Sequence, residues 1–351
     1  MRILSIESSC DETSIAIVDD GIEVKSNIIA SSQAAFTTSG GVIPEEAARK
    51  QVECVIPVLH QALELAQTDW SSIDAIAVTK GPGLLGSLLV GTVTGRALAS
   101  IHELPLIGVH HTLGHLSSTW LETDKNDPPT FPILTLSASG GHTELWLRTS
   151  HTQGELIGRT RDDAAGEAFD KGATLLGLPY PGGPSIAKAA EHGKTDAYDL
   201  PVPLQKYDTL DFSFSGLKTA LRYTIRDLPP ESRTLGGELL DDTLHNIAAS
   251  YQYAICFHLV DRIRIAIERY PEIKEVHLVG GVSANTVLRS MVTEACGSQA
   301  VVRFPKKLSY CTDNAAMIAA AGYFLHLDGD SSTVGFETMA SLPLAAAVTS
   351  Y

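Results

Sequence analysis

Two histidines four residues apart, His111 and His115, stand in the run Val109-His110-His111-Thr112-Leu113-Gly114-His115. Residues four apart share one face of a helix, so this spacing can present two imidazole nitrogens to one metal ion. The same spacing also suits a pair of surface or core histidines, and a third ligand would separate the two readings. Asp313, in Cys311-Thr312-Asp313-Asn314, offers a carboxylate at the start of a helix. It fits either a metal ligand or a plain N-cap. The metallopeptidase pattern HExxH needs a glutamate directly after the first histidine, and that position is Thr112. Peptidase chemistry is poorly supported.

A second kind of chemistry lies in the glycine turns Ser137-Ala138-Ser139-Gly140-Gly141, Gly182-Gly183 and Gly280-Gly281. Gly140 and Gly141 permit φ > 0 and let backbone N–H groups come close to an anion. None of these turns is a GxxxxGK[ST] loop or a GxGxxG fingerprint. Three of them in one half of the chain point to a bound nucleotide. Asp170 and Asn285 sit near the second and third turns, where they could bond ribose hydroxyls or an adenine edge, or cap a helix. Asp162, Asp163 and Glu167 form an acidic knot that reads most simply as a solvated helix start. Lys218, Arg222 and Arg226 recur at helical spacing, a modest basic stripe that also suits a solvated face.

The elements that must position these residues form a repeat. Ile3–Ile17, ILSIESSCDETSIAI, superimposes without a gap on Ile133–Leu147, ILTLSASGGHTELWL, at an offset of 130 residues, Ile3 falling on Ile133. Each copy reads as strand, tight turn, strand. After the first, Gly40-Gly41 and Pro44 lead into a helix over 45–67, with Val52, Val55, Ile56, Leu59 and Leu63 at helical spacing. A strand over 74–79, the turn Gly81-Pro82-Gly83, a glycine-rich helix to His102 and a strand over 104–109 make a βαβ unit. The second half mirrors this with a strand over 275–279, Gly280-Gly281 and a helix over 286–295. Residues 121–132 read as an exposed connection and 195–238 as an irregular or helical insert. Two helices are expected after the insert, the clearer over 246–269. A last helix near 313–326 is expected to return to the first lobe. The repeat predicts an α/β protein with a duplicated domain: one lobe from 1–120 plus about 313–351, another from 131–312, and a cleft between them holding nucleotide and metal.

Composition narrows the function further. Asp and Glu outnumber Lys and Arg 41 to 26, a net charge of -15, so non-specific coating of nucleic acid is opposed by phosphate repulsion. An RNA substrate would need a local basic surface or a partner. The 5 cysteines never fall in a CxxC, which fits reduced thiols in a cytoplasm. No stretch reads as a signal peptide or a membrane span.

The motifs SIESSCDETSIAIV, GGVIPEEAAR, GPGLLGSLLVG, VHHTLGH, SASGGHT, DDAAGEAFDK, LGLPYPGGP, DFSFSGLKT, GGVSAN and CTDNAAMIA together resemble the TsaD family. These are the catalytic subunits of tRNA N6-threonylcarbamoyladenosine synthesis, earlier labelled O-sialoglycoprotein endopeptidases. The resemblance implies an actin/Hsp70-like (ASKHA) fold of two lobes with mixed sheets flanked by helices. It implies that His111, His115 and Asp313 bind one divalent metal, Fe(2+) first and Zn(2+) second. It implies that Ser137, Ala138, Ser139, Gly140, Gly141, Asp170, Gly183 and Asn285 bind the adenylate. The implied reaction moves threonylcarbamoyl from threonylcarbamoyl-AMP to N6 of adenosine-37 in tRNAs reading codons that begin with adenine, releasing AMP. Implied partners are tRNA, a shorter TsaB-type paralogue docked on a helical face of the first lobe, and a TsaE-type P-loop ATPase; the stripe Val52–Leu63 fits that face and plain core packing equally well.

Two positions depart from the family. Its usual glutamate between the metal histidines is Leu113 here, and the acidic residue common after YPGGP is replaced within Ile186-Ala187-Lys188. An acid at the first and a ribose contact at the second are not carried over. Asp11 and Glu12, on the first hairpin, are the residues considered as general base. An actin-like sugar or acetate kinase would use the same lobes but gives no reason for HxxxH. A non-catalytic scaffold would not need both the triad and the nucleotide turns.

Overall fold

A computed structural model describes residues 1–31, 43–329 and 335–344. Gly40 and Gly41 of the GGVIPEEAAR motif lie outside the described residues, as do 330–334 and 345–351 of the expected first lobe.

The chain divides into two units. The first holds Met1–Thr130, Arg148–Glu155 and Pro305–Tyr351, the second Phe131–Leu147 and Leu156–Phe304. The return to the first unit thus comes before Asp313, at Pro305, and a short excursion at Arg148–Glu155 joins it as well. Arg148 explains the excursion. Its buried guanidinium donates to Leu116 O at 2.5 Å and His151 O at 2.6 Å and lies over the Trp120 ring. Satisfying so large a buried cation fixes the segment beside the residues that accept from it.

The first unit carries β1 (Arg2–Glu7), β2 (Glu12–Asp19), β3 (Glu23–Ser31), α1 (Pro44–Leu65), β4 (Ala75–Gly81), α2 (Leu85–His102), β5 (Leu106–His110) and α3 (His111–Ser117). Its sheet runs β3-β2-β1-β4-β5, with β1 antiparallel to β2 and parallel to β4, and β4 parallel to β5. The second unit carries β6 (Ile133–Ala138), β7 (Thr143–Arg148), β8 (Gly154–Arg159), α4 (Ala165–Leu175), α5 (Gly182–Ala190), α6 (Ser215–Arg226), α7 (Asp241–Arg269), β9 (Glu275–Val279), α8 (Thr286–Cys296) and β10 (Val301–Arg303). Its sheet order, β10-β9-β6-β7-β8, repeats the first order read from the other edge. The predicted repeat is therefore a repeat of topology. Each fifteen-residue copy supplies the central strand of a sheet and its hairpin neighbour.

The apolar sequence pattern places the cores. Leu4, Ile6, Ile15, Ile17, Ile76 and Val78 are fully buried in the first unit. Leu134, Leu136, Leu145, Phe212, Phe214 and Leu278 occupy the corresponding layer of the second. Helix α9 (Ala315–Leu327) is apolar nearly all round, with ten of its residues buried, and it packs on β1, β2 and α3 of the first unit. A helix without a polar face needs cover on every side. Among the described residues no helix is long and apolar enough to cross a membrane.

Candidate functional site

Strand β5 ends at His110 and α3 begins at His111, so His111 and His115 occupy successive turns of one short helix. His110 caps that helix by accepting from Thr112 N at 3.1 Å. Asp313 arrives just before α9. It is not the N-cap: Asn314 fills that role, accepting from Met317 N at 3.1 Å. Asp313 is left to face the histidines. Its Oδ1 lies 3.0 Å from His115 Nε2 and 3.6 Å from His111 Nε2. Ligand atoms of the three residues lie within 4.8 Å of one another.

Three observations fit this cluster to a divalent cation. The donor set is two imidazoles and a carboxylate, a set that suits iron or zinc. His111 Nδ1 faces Glu7 Oε2 at 3.2 Å and Ser9 Oγ at 3.1 Å. A proton on Nδ1, donated to that carboxylate, leaves the Nε2 lone pair pointing at Asp313, the arrangement that metal-ligating histidines adopt. The surroundings are also strongly negative. Burial lowers the His111 pKa, but Asp313 and Glu7 outweigh it and push it up to about 9. Burial, then Asp313 and Asp11, push Glu12 up to about 9. A pocket that draws protons onto its side chains this strongly also draws cations.

Glu7 was not among the residues expected here. It is 1% exposed and sits at the end of β1, accepting from Ser9 N at 2.5 Å and Thr79 Oγ1 at 2.5 Å besides facing His111. Burial would raise its pKa, but the His111 imidazole holds it below the usual carboxylate range. Gln51 of α1 was missed too. Its buried amide donates to Cys10 O at 3.0 Å and Glu12 O at 2.8 Å, fixing the loop that carries Asp11 and Glu12. Leu113, where a glutamate was expected, is 2% exposed and packed in the core.

The glycine turns form a separate arrangement within the second unit. Gly140 and Gly141 make a two-residue loop closed by Ser139 N donating to His142 O at 2.8 Å. Neither adopts the positive φ their type permits. Their value is space, since a Cβ on either would meet nothing within 4 Å, and the same holds for Gly183. Neighbouring glycines are tight instead. A Cβ on Gly166 would lie 2.5 Å from Ser139 O, and one on Gly280 (φ 83°) 2.4 Å from Ala138 O. Close backbone packing thus holds Ser137, Ala138 and Ser139 in place while Gly140 and Gly141 stay exposed.

Asp170 and Asn285 both have structural partners. Asp170 Oδ1 accepts from Gly182 N at 2.7 Å, at the start of α5, and burial raises its pKa. Asn285 caps α8, accepting from Leu288 N at 3.0 Å and donating to the buried Gln252 Oε1 at 2.7 Å. Asn285 is thus the N-cap of α8, while Asp170 reaches across from the interior of α4. Together they tie the turns at Gly182 and Gly280 to their helices.

The acidic knot has a role that its composition does not announce. Asp162 accepts from Phe214 N at 2.7 Å, Ser215 N at 3.1 Å, Ser213 Oγ at 2.6 Å and Ser215 Oγ at 2.8 Å, capping α6. Motifs DDAAGEAFDK and DFSFSGLKT are therefore one structural unit.

Duplicated five-stranded sheets with glycine turns at strand ends define an actin/Hsp70-like (ASKHA) protein. Solved structures agree on that fold. HypF from T. kodakarensis matches with TM-score 0.60 at 14% identity, over 94% of this chain and 48% of that one. Component A of the (R)-2-hydroxyglutaryl-CoA dehydratase of Acidaminococcus fermentans matches with TM-score 0.51 at 14% identity, over 92% and 96%. The family description "TsaD: tRNA N6-adenosine threonylcarbamoyltransferase" matches residues 23–320. Relatives of that name are 43% identical in Dehalococcoides mccartyi (97% of this chain, 99% of the relative) and 45% identical in Thermomicrobium roseum (98% and 97%). One in Bacillus anthracis is 44% identical (98% and 97%). The chain belongs to the tRNA N6-adenosine threonylcarbamoyltransferase family and is a transferase that modifies adenosine in tRNA.

Proposed function

We propose that the chain moves the threonylcarbamoyl group from threonylcarbamoyl-AMP to N6 of adenosine-37 in tRNAs reading codons that begin with adenine, releasing AMP. The observation that carries this reading is the convergence of His111, His115 and Asp313 in a chain of this family. His111, His115 and Asp313 would hold one divalent metal, Fe(2+) first and Zn(2+) second. Bound there, such an ion supplies Lewis acidity toward the carbamoyl carbonyl. Adenosine N6 attacks that carbon, the carbon–oxygen bond to the phosphate breaks, and AMP carries away the electron pair. The proton lost from N6 would go to a carboxylate of the first hairpin, Asp11 or Glu12. The exposed Gly140 and Gly141 N–H groups would take charge on the leaving phosphate. Ser137, Ala138, Ser139, Asp170, Gly183 and Asn285 would shape the adenylate site around them.

For partners, we propose a TsaB-type paralogue on α1 and α2 and a TsaE-type P-loop ATPase, with the complex working in the cytoplasm on tRNA. Two exposed apolar stripes support the first: Val52 and Ile56 on α1, and Leu85, Leu89 and Val93 on α2, on helices that pack together. Such a surface suits a protein partner better than water.

Nucleoside analysis of tRNA from cells depleted of this chain should show loss of threonylcarbamoyladenosine. An unchanged level, in a genome without a second family member, would sink the proposal. His111→Ala should lose bound metal and transfer activity together, and full activity without metal would remove the ligand assignment.

A further inference from the structure

Between α4 and α6 the second unit has a recess of about 320 Å³ lined by Asp163, Lys171, Ser215, Lys218, Arg222 and Tyr223. The established activity leaves it without a role. Its charges are unevenly matched. Lys171 is neutralised, with Asp163 and Glu167 oxygens each 2.8 Å away. Lys218 and Arg222 make no hydrogen bond or ion pair among the described residues; the nearest influence is Lys218 on Glu167, whose pKa it helps to lower. That is unusual in a chain with 41 acidic and 26 basic residues. Like charges at i, i+4 disfavour a helix, and among the described residues no carboxylate makes an ion pair with either of them.

The helix presents these groups by construction. Leu217 and Leu221 turn its apolar face into the core, each fully buried. Lys218 and Arg222 then share a flank, and Tyr223, 51% exposed, lies beside them. Asp162 already occupies the N-terminus of α6, so the flank and not the helix end is open to an anion. Two unpaired cations one turn apart match adjacent phosphates, with arginine able to grip one through two N–H groups. Tyr223 next to them carries the Arg226 guanidinium over its ring, 4.6 Å from the centroid, and a base of unpaired RNA stacks on such a ring by taking the other face or the arginine's place.

We propose that the recess between α4 and α6 binds the phosphodiester backbone of a single-stranded or loop segment of the RNA substrate, through Lys218 and Arg222, with a base on Tyr223. It rests on the tRNA reading above and supplies the local basic surface that so acidic a chain needs.

The test is tRNA affinity as a function of salt, using the full chain and its Lys218→Gln/Arg222→Gln variant. Two phosphate contacts on a single strand contribute about 0.7 each to the slope of log K against log salt. The variant should lose about 1.4 of slope, which corresponds to about 25-fold weaker binding near 0.1 M salt. Arg222→Gln alone should lose about half of that slope, Arg222→Lys should keep it, and Tyr223→Ala should weaken binding with the slope intact. Equal affinity and slope in wild type and the double variant would overturn the proposal. So would loss of AMP affinity with an unaltered tRNA slope, which would assign the recess to a free nucleotide. Wild-type chain that neither binds nor modifies tRNA would instead remove the functional reading, and this inference with it.

Discussion

At the scale of single residues, spacing made the histidines legible and could not make Glu7 legible. His111 and His115 announce a shared helix face through four residues of local sequence. Glu7 meets His111 from the far end of another strand, 104 residues away in sequence, and nothing local distinguishes it from any acid at a strand end. Asp313 became readable only when Asn314 took the cap. Glu7 also yields a prediction distinct from loss of a ligand. Glu7→Gln keeps the size and an acceptor oxygen but removes the charge that sets His111's proton on Nδ1. Metal affinity should fall about 10–100-fold, the usual effect of losing such an outer partner. Competition with a chromogenic chelator measures it. An unchanged affinity would show that Glu7 only fills a buried site.

Regular elements with their own periodicity were readable almost to the residue: the strand over 275–279 and the helix begun at Thr286 stand as expected. Two helices expected before Arg269 are instead one, α7, of 29 residues. Its first turn carries Asp241 and Asp242 without apolar periodicity, so only the macrodipole marks its start. The insert was harder, because α6 is held by contacts that are distant in sequence. His258 of α7 accepts from Ser213 N at 3.2 Å and packs edge-on against Phe212 and Phe214, while Asp162 caps the helix. Burial, then Arg262, pushes His258 down to about 4 from 6.5. An unfolded chain therefore binds a proton between these values that the folded chain refuses. Stability from this group is complete above about pH 6.5 and falls as pH drops toward 4, by about 3 kcal/mol in all. Urea denaturation of wild type and His258→Asn across pH 7 to 4 isolates this part, because His151, also pushed down to about 4, titrates equally in both. The variant should be less pH-sensitive in this window. The same fall in both proteins would contradict the assignment.

For the whole molecule, the repeat was visible because each copy of the fifteen-residue hairpin keeps its apolar alternation, and the sheet orders β3-β2-β1-β4-β5 and β10-β9-β6-β7-β8 give that repeat its physical form. What could not be read was how far the C-terminal segment serves the first unit. Beyond α9, Met339 N donates to Lys80 O at 2.9 Å, Gly83 N donates to Ala340 O at 3.0 Å, and Arg96 lies over Phe336. These are backbone and single-ring contacts with no sequence signature. Helix α1 poses the opposite case, where the apolar pattern was plain but its use was open between core and interface. The pattern divides: Val55 and Leu59 are buried, while Val52 and Ile56, one residue around the helix, are 62% and 50% exposed. On α2, Leu85, Leu89 and Val93 repeat every fourth residue and are 49%, 42% and 58% exposed. Ile56→Asp with Leu89→Asp puts two charges on this face without touching the core beneath it. If the TsaB-type paralogue docks there, each buried unpaired charge costs about 2 kcal/mol or more, so affinity should fall by roughly 1000-fold. Metal content should stay at the wild-type level. Titration calorimetry with the purified paralogue reads the first quantity and metal analysis the second. Undiminished binding would move the partner to another surface, and loss of metal together with binding would mean that the substitutions had damaged the fold of the first unit.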